Sequence, residues 1–114
     1  MNRQIEFRVW DKLLNKMMKD QPYIDFDNPE YIFLEFTGLF DSQGNKIFEG
    51  DILEMRGTKS QYTVYFDKFS AGFKLTGTYG KHVARFSLNE HVNVKDLTVV
   101  GNVFENLQLI SPKT

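Results

Sequence analysis

The stretch "IEFRVW" at positions 5–10 alternates apolar and polar side chains residue by residue. Ile5, Phe7 and Val9 fall on one side and Glu6, Arg8 and Trp10 on the other, the period of two expected of a half-buried β-strand. "DKLLNK" then turns the chain: Asp11 and Asn15 are residues whose side chains bond local backbone, so Met17 and Met18 are expected to open the returning strand of a hairpin. The next segment, "DQPYIDFDNPEYIFLEF", holds two prolines, which exclude a long helix and predict irregular chain around short extended pieces. Its end, "EYIFLEF", fits a buried strand or a short helix equally well.

From position 46 onward the pattern is plainer. The runs "IFEGDILEM", "QYTVYF", "GFKLT", "VARFSL" and "LTVVGNVF" are separated by "RGTKS", "DKFSAG", "GTYGKH" and "NEHVNVKD", each rich in turn formers. No connection is long enough for a crossover helix, which argues against a parallel sheet. The expected fold is all-β: a small SH3-like barrel of about five strands, with an N-terminal β-hairpin and an irregular connecting segment. Residues 1–114 read as a single domain, with the hairpin and connector over 1–35 and the barrel part over 36–110.

Composition sharpens this picture. Eleven Phe, five Tyr and one Trp in 114 residues favour pleated, half-buried surfaces. Apolar residues at 41% and charged ones at 25% match a folded globular domain. The absence of Cys excludes disulfides and thiolate metal sites and fits a reducing cytoplasm. No apolar run approaches the roughly 18 residues of a membrane span, and the start carries no signal core, so no membrane partner is expected.

The segment "FTGLFDSQGNKIFEGDIL" concentrates three glycines and acidic turns. Asp41 is placed to accept backbone N–H groups across a turn in which Gly44 takes a positive φ, while Gly50 allows a tight bend and Asp51 satisfies donors exposed where the next strand begins. The functional alternative recruits Asp41, Glu49 and Asp51 as a carboxylate cluster, but neither EF-hand spacing nor a nearby His supports it, and the structural reading is preferred. Near the end, in "VVGNVFEN", Gly101 marks a bulge or close approach and Asn102 and Asn106 fix local turns.

Three blocks, "FRVWDKLLNKMM", "FTGLFDSQGNKIFEGDIL" and "VVGNVFEN", together make the chain resemble the YopX-like family of bacteriophage and prophage proteins. The resemblance implies an all-β fold with an SH3-like part and a phage origin, hence a location in the bacterial host cytoplasm. It supplies no catalytic residue to carry over.

Candidate chemistry is sparse. His82 and His91 lie in or beside expected turns without a nucleophile motif, and "GTYGKH" lacks the spacing of a phosphate loop, so Gly77 and Gly80 are read as a hairpin loop. Trp10 is expected to pack beneath a second layer rather than to anchor a ligand. No catalytic residue, metal ligand or cofactor is assigned, and the protein is not expected to be an enzyme.

Charge is the informative irregularity. The formal net charge of −1 hides an acidic block over 20–54, with nine acidic and one basic side chain, and a basic block over 56–86, with six basic and one acidic. Arg56, Lys59, Lys68, Lys74, Lys81 and Arg85 are interleaved with aromatics such as Tyr62 and Tyr79, a composition suited to phosphate backbones and stacked bases. Nucleic-acid binding competes with a protein-interaction or self-association role in which opposite blocks meet between chains, and with neutralisation inside one monomer. A pI near 6.1 and the acidic block favour the second: a partner that is another copy or a host or phage protein.

Overall fold

Among the described residues nine strands follow one another. They are β1 (Phe7–Asp11), β2 (Lys16–Met18), β3 (Tyr31–Phe40), β4 (Lys46–Phe48), β5 (Asp51–Met55), β6 (Gln61–Asp67), β7 (Gly72–Tyr79), β8 (His82–Ser87) and β9 (Leu97–Asn102). A single 3-10 turn, Val94–Asp96, precedes β9, and there is no α-helix among the described residues. The computed structural model describes residues 6–18, 25–58, 60–79, 82–88 and 94–106, with side chains at all of these except positions 78, 79, 82, 84 and 94.

The strands form a four-stranded sheet in the order β2-β1-β3-β4 and a five-stranded sheet in the order β8-β7-β6-β5-β9, which curls into a half-barrel. The expected all-β fold is therefore what the chain adopts. The expected hairpin is also present: Asp11 Oδ1 accepts the Leu13 and Leu14 N–H groups, and Asn15 takes the left-handed conformation at φ 56°.

One open reading is resolved and two local expectations are corrected. "EYIFLEF" is strand, and β3 continues through Thr37–Leu39 to Phe40. Its first half pairs with β1 and its second with β4, and the register shifts between Phe36 and Phe40, so Thr37–Leu39 is a bulge. Thr37 fixes that bulge, its hydroxyl donating to the Ile47 carbonyl and accepting the Leu39 N–H. Gly77 belongs to β7 opposite Ala84 rather than to a loop, because any Cβ there would lie 2.7 Å from the Tyr62 ring and 2.8 Å from the Gln61 carbonyl; Gly80 lies outside the described residues. In β1 the alternation does not separate core from solvent: Val9 and Trp10 are both buried while Phe7 is exposed, since β1 is an inner strand covered on the Trp10 side.

Two cores result. Leu53, Val64, Leu75, Leu88 and Leu97 line the hollow of the curled sheet, and Ile47 from β4 enters it, tying the two sheets together. Each such fully buried aliphatic side chain contributes about 1.5–3 kcal/mol. Trp10, Met17 and Leu34 form the second core, with Phe104 stacked on Trp10 at a centroid distance of 5.3 Å. Trp10 is thus a packing residue, as expected.

Candidate interaction surfaces

The acidic turns are structural in each case that can be traced. Asp41 Oδ1 accepts the N–H groups of Gln43 and Asn45, and Oδ2 accepts that of Val99 on β9. Burial alone would raise its carboxyl, but these bonds outweigh it and hold Asp41 below the ordinary carboxylate value. Its stabilising contribution is therefore complete above the unfolded value of about 3.9 and is lost as pH falls through the lower folded value. Asp41→Ala, which strands three donors, is expected to cost about 1–3 kcal/mol at pH 7 and less near pH 3, as read from urea midpoints.

Asp51 is almost fully buried. It does not cap the start of β5 as expected; Oδ2 accepts the Phe48 N–H behind the bend, and Oδ1 meets the Arg8 guanidinium at 2.5 Å. Arg8 also lies 4.7 Å from the Phe48 ring centroid. Burial pushes the Asp51 carboxyl up despite Arg8 and the Phe48 N–H. Sequence reasoning missed this bond because it joins residues 43 positions apart. Among the described residues no group of three potential ligands converges on a metal position. With Asp41 and Asp51 occupied by donors, added Ca²⁺, Mg²⁺ or Zn²⁺ is expected to leave the melting temperature unchanged; a saturable rise at micromolar metal would contradict this.

Gly44 and Gly50 take the expected positive φ, at 83° and 89°. Gly101 sits at a bulge, where β9 shifts register against β5 between Ile52 and Leu53. Asn102 Oδ1 accepts the Phe104 and Glu105 N–H groups and Asn106 Oδ1 that of Asn102, so both asparagines fix the final turn.

The described members of the basic block do not form one surface. Lys59, Lys81 and the Tyr79 side chain lie outside the described part of the structure. Register places Lys74 and Arg85 on the outer face of the curled sheet, with Tyr65 opposite Lys74 and Thr76 opposite Arg85. Tyr62 has the other parity: it packs against the core and meets Phe86 edge-on at 5.6 Å, so it does not join the basic face. Lys74 is paired at 3.0 Å with Asp67, whose carboxyl is held below its ordinary value by that hydrogen bond and by the Phe69 N–H. Lys68 is exposed on the turn near Phe69, and Arg56 lines a separate open cleft of about 490 Å³ with Ser42, Glu54, Lys95 and Thr98. His82 opens β8, beside the β7–β8 connection, and His91 lies outside the described residues.

The two edges of the curled sheet differ. Along β9, the Asp41 carboxylate takes the Val99 N–H and the Ser42 N–H donates to the Leu97 carbonyl, so the β3–β4 turn seals that edge. At the other edge β8 pairs with β7 and, among the described residues, with no further strand. The Leu88 N–H donates to the Phe73 carbonyl, which sets the phase of the ladder. Phe86 and Ala84 therefore bond inward to β7, while the N–H and C=O groups of Val83, Arg85 and Ser87 point away from the sheet. Beside these groups Val83 and Phe86 are 58% and 44% exposed, large values for apolar residues within a strand.

A family model described as YopX protein matches residues 18–111. The crystal structure of protein EF1440 from Enterococcus faecalis resembles this chain with a TM-score of 0.60 at 20% identity, covering 96% of this chain and 100% of that one, a likeness of fold alone. No curated protein matches. With the family match running from β2 beyond β9, the chain belongs to the YopX family.

Proposed function

We propose that the protein is a non-enzymatic binding module of phage or prophage origin, working in the host cytoplasm, that takes another polypeptide by strand addition along the outer edge of β8. The difference between the two sheet edges carries this reading: one is sealed by side-chain and turn bonds, while the other presents three residues of outward backbone groups flanked by exposed Val83 and Phe86. The commitment of Asp11, Asp41 and Asp51 to backbone donors or to Arg8 supports a non-enzymatic role. The three blocks shared with YopX-like proteins support the phage origin, and the lack of Cys fits a reducing cytoplasm.

A photoreactive residue at Val83, compared with one at the distant exposed Leu13, tests the function in cells. The expected result is a defined protein adduct from position 83, absent from position 13 and lost in Arg85→Pro. Proline at 85 removes an outward N–H and no ladder bond, so the fold is retained. Adducts to nucleic acid, or equal labelling at both positions, would overturn the reading. The nucleic-acid alternative requires instead that single-stranded DNA bind with a steep salt dependence that is lost when Lys74 and Arg85 are replaced.

A further inference from the structure

We infer that the strand taken by the β8 edge is an alternating acidic and apolar segment of a different protein, with a carboxylate opposite Arg85 and apolar side chains on the Phe86 side. This rests on the reading of β8 as a docking edge and specifies its occupant.

The alternation follows from the pleat. A strand added beside β8 continues both faces of the sheet, so every second side chain lies on the outer face, where Arg85 is exposed and has Val83 and Ser87 two positions to either side. The intervening side chains lie on the hollow face, where Phe86 is half exposed and meets Tyr62 edge-on. Phe86 stands on β8 itself, so the added strand has apolar surface to cover on that face. On the outer face Asp67 is already bonded to Lys74. No Asp or Glu occurs between positions 68 and 88, so the described part of β7 and β8 has no carboxylate to offer Arg85.

The same charge argument disfavours a second copy paired through its own β8. The two-fold antiparallel register that uses all three outward residues is centred on Arg85, and it opposes two guanidinium groups directly. It also brings together two copies of the segment that carries six basic and one acidic side chain. An acidic strand gains a cross-strand charge pair at the same position, and the charge complementarity steers its approach.

The test uses three capped peptides of identical length that alternate Val with Glu, Lys or Gln, titrated into the intact ¹⁵N-labelled protein. The Glu peptide is expected to slow amide exchange at Val83, Arg85 and Ser87 and to bind at least about tenfold more tightly than the Lys peptide. Arg85→Glu should invert that preference, and Arg85→Pro should abolish binding of all three while leaving the β7 amide pattern unchanged. Equal binding of the Glu and Lys peptides, or a preference that Arg85→Glu leaves unmoved, would overturn the acidic occupant. If protection at these amides instead rises with protein concentration alone, the occupant is a second copy: the inference fails and the docking edge stands. If no peptide and no concentration protects them, both readings fall.

Discussion

Replacing Arg8 by methionine is expected to remove about 3–5 kcal/mol of stability at pH 7, the largest loss anticipated for any single surface-distant change in this chain. Arg8 on β1 meets Asp51 on β5, so one ion pair joins the two sheets, and the carboxylate is 1% exposed. Without the guanidinium that charge has the Phe48 N–H and no cation. The replacement also removes Arg8 Nε, which is buried with no hydrogen-bond partner among the described residues, so part of the loss is offset. Burial already lifts the Asp51 carboxyl, which means that protonation favours the folded state. The contribution of that lift is complete below the unfolded value of about 3.9 and is lost as pH rises through the folded value. Removing Arg8 raises the folded value further and extends that window upward, so the deficit of Arg8→Met should shrink between pH 7 and pH 5. Adding Asp51→Asn should restore much of it, because the amide oxygen still accepts the Phe48 N–H and no charge is left buried. Urea midpoints of the two variants at both pH values decide this; a loss below about 1 kcal/mol for Arg8→Met would show that the pair does not join the sheets.

Gly50→Val is expected to cost about 2–5 kcal/mol. The residue stands at φ 89°, where a β-branched side chain is strained by about 1–3 kcal/mol. Its Cβ would also lie 3.1 Å from the Phe104 ring, 3.7 Å from Val103 and 3.8 Å from Leu34, at the seam between the sheets, and overpacking there adds about 1–3 kcal/mol. Gly44 gives the control. It has φ 83° and nothing within 4 Å of a Cβ, so Gly44→Ala should show backbone strain alone, about 1 kcal/mol. Equal losses for Gly50→Val and Gly44→Ala would mean that the seam is not packed against the bend.

What the sequence disclosed, and what it withheld, follows from the range of the interactions. Short-range chemistry was readable: the Asp11 turn, the Asp41 turn with Gly44 and the Asn102 turn all form from residues within four positions of one another. The run of β-type segments gave the all-β fold. Features set by partners distant in sequence were hidden. A ten-residue strand through "FTGLF" needs β1 on one side and β4 on the other, partners that the local pattern does not name. The Arg8–Asp51 pair and the Asp41–Val99 seal span 43 and 58 positions. The basic block was legible as composition but not as a surface, because strand parity turned Tyr62 inward and Lys74 found Asp67 across its own hairpin. The β8 edge has no sequence signal: it arises because, among the described residues, β8 ends the strand order and its ladder phase turns Val83, Arg85 and Ser87 outward.

Amide hydrogen exchange on dilute protein tests the central claim most directly, because it compares the two edges of one sheet in one experiment. The open-edge account predicts rapid exchange at Val83, Arg85 and Ser87, slow exchange at Phe86 and Leu88, which bond inward to β7, and slow exchange at Val99, whose N–H the Asp41 carboxylate holds. Protection at Val83, Arg85 and Ser87 equal to that at Val99 in the dilute monomer would show that the β8 edge is already covered, and would contradict the account.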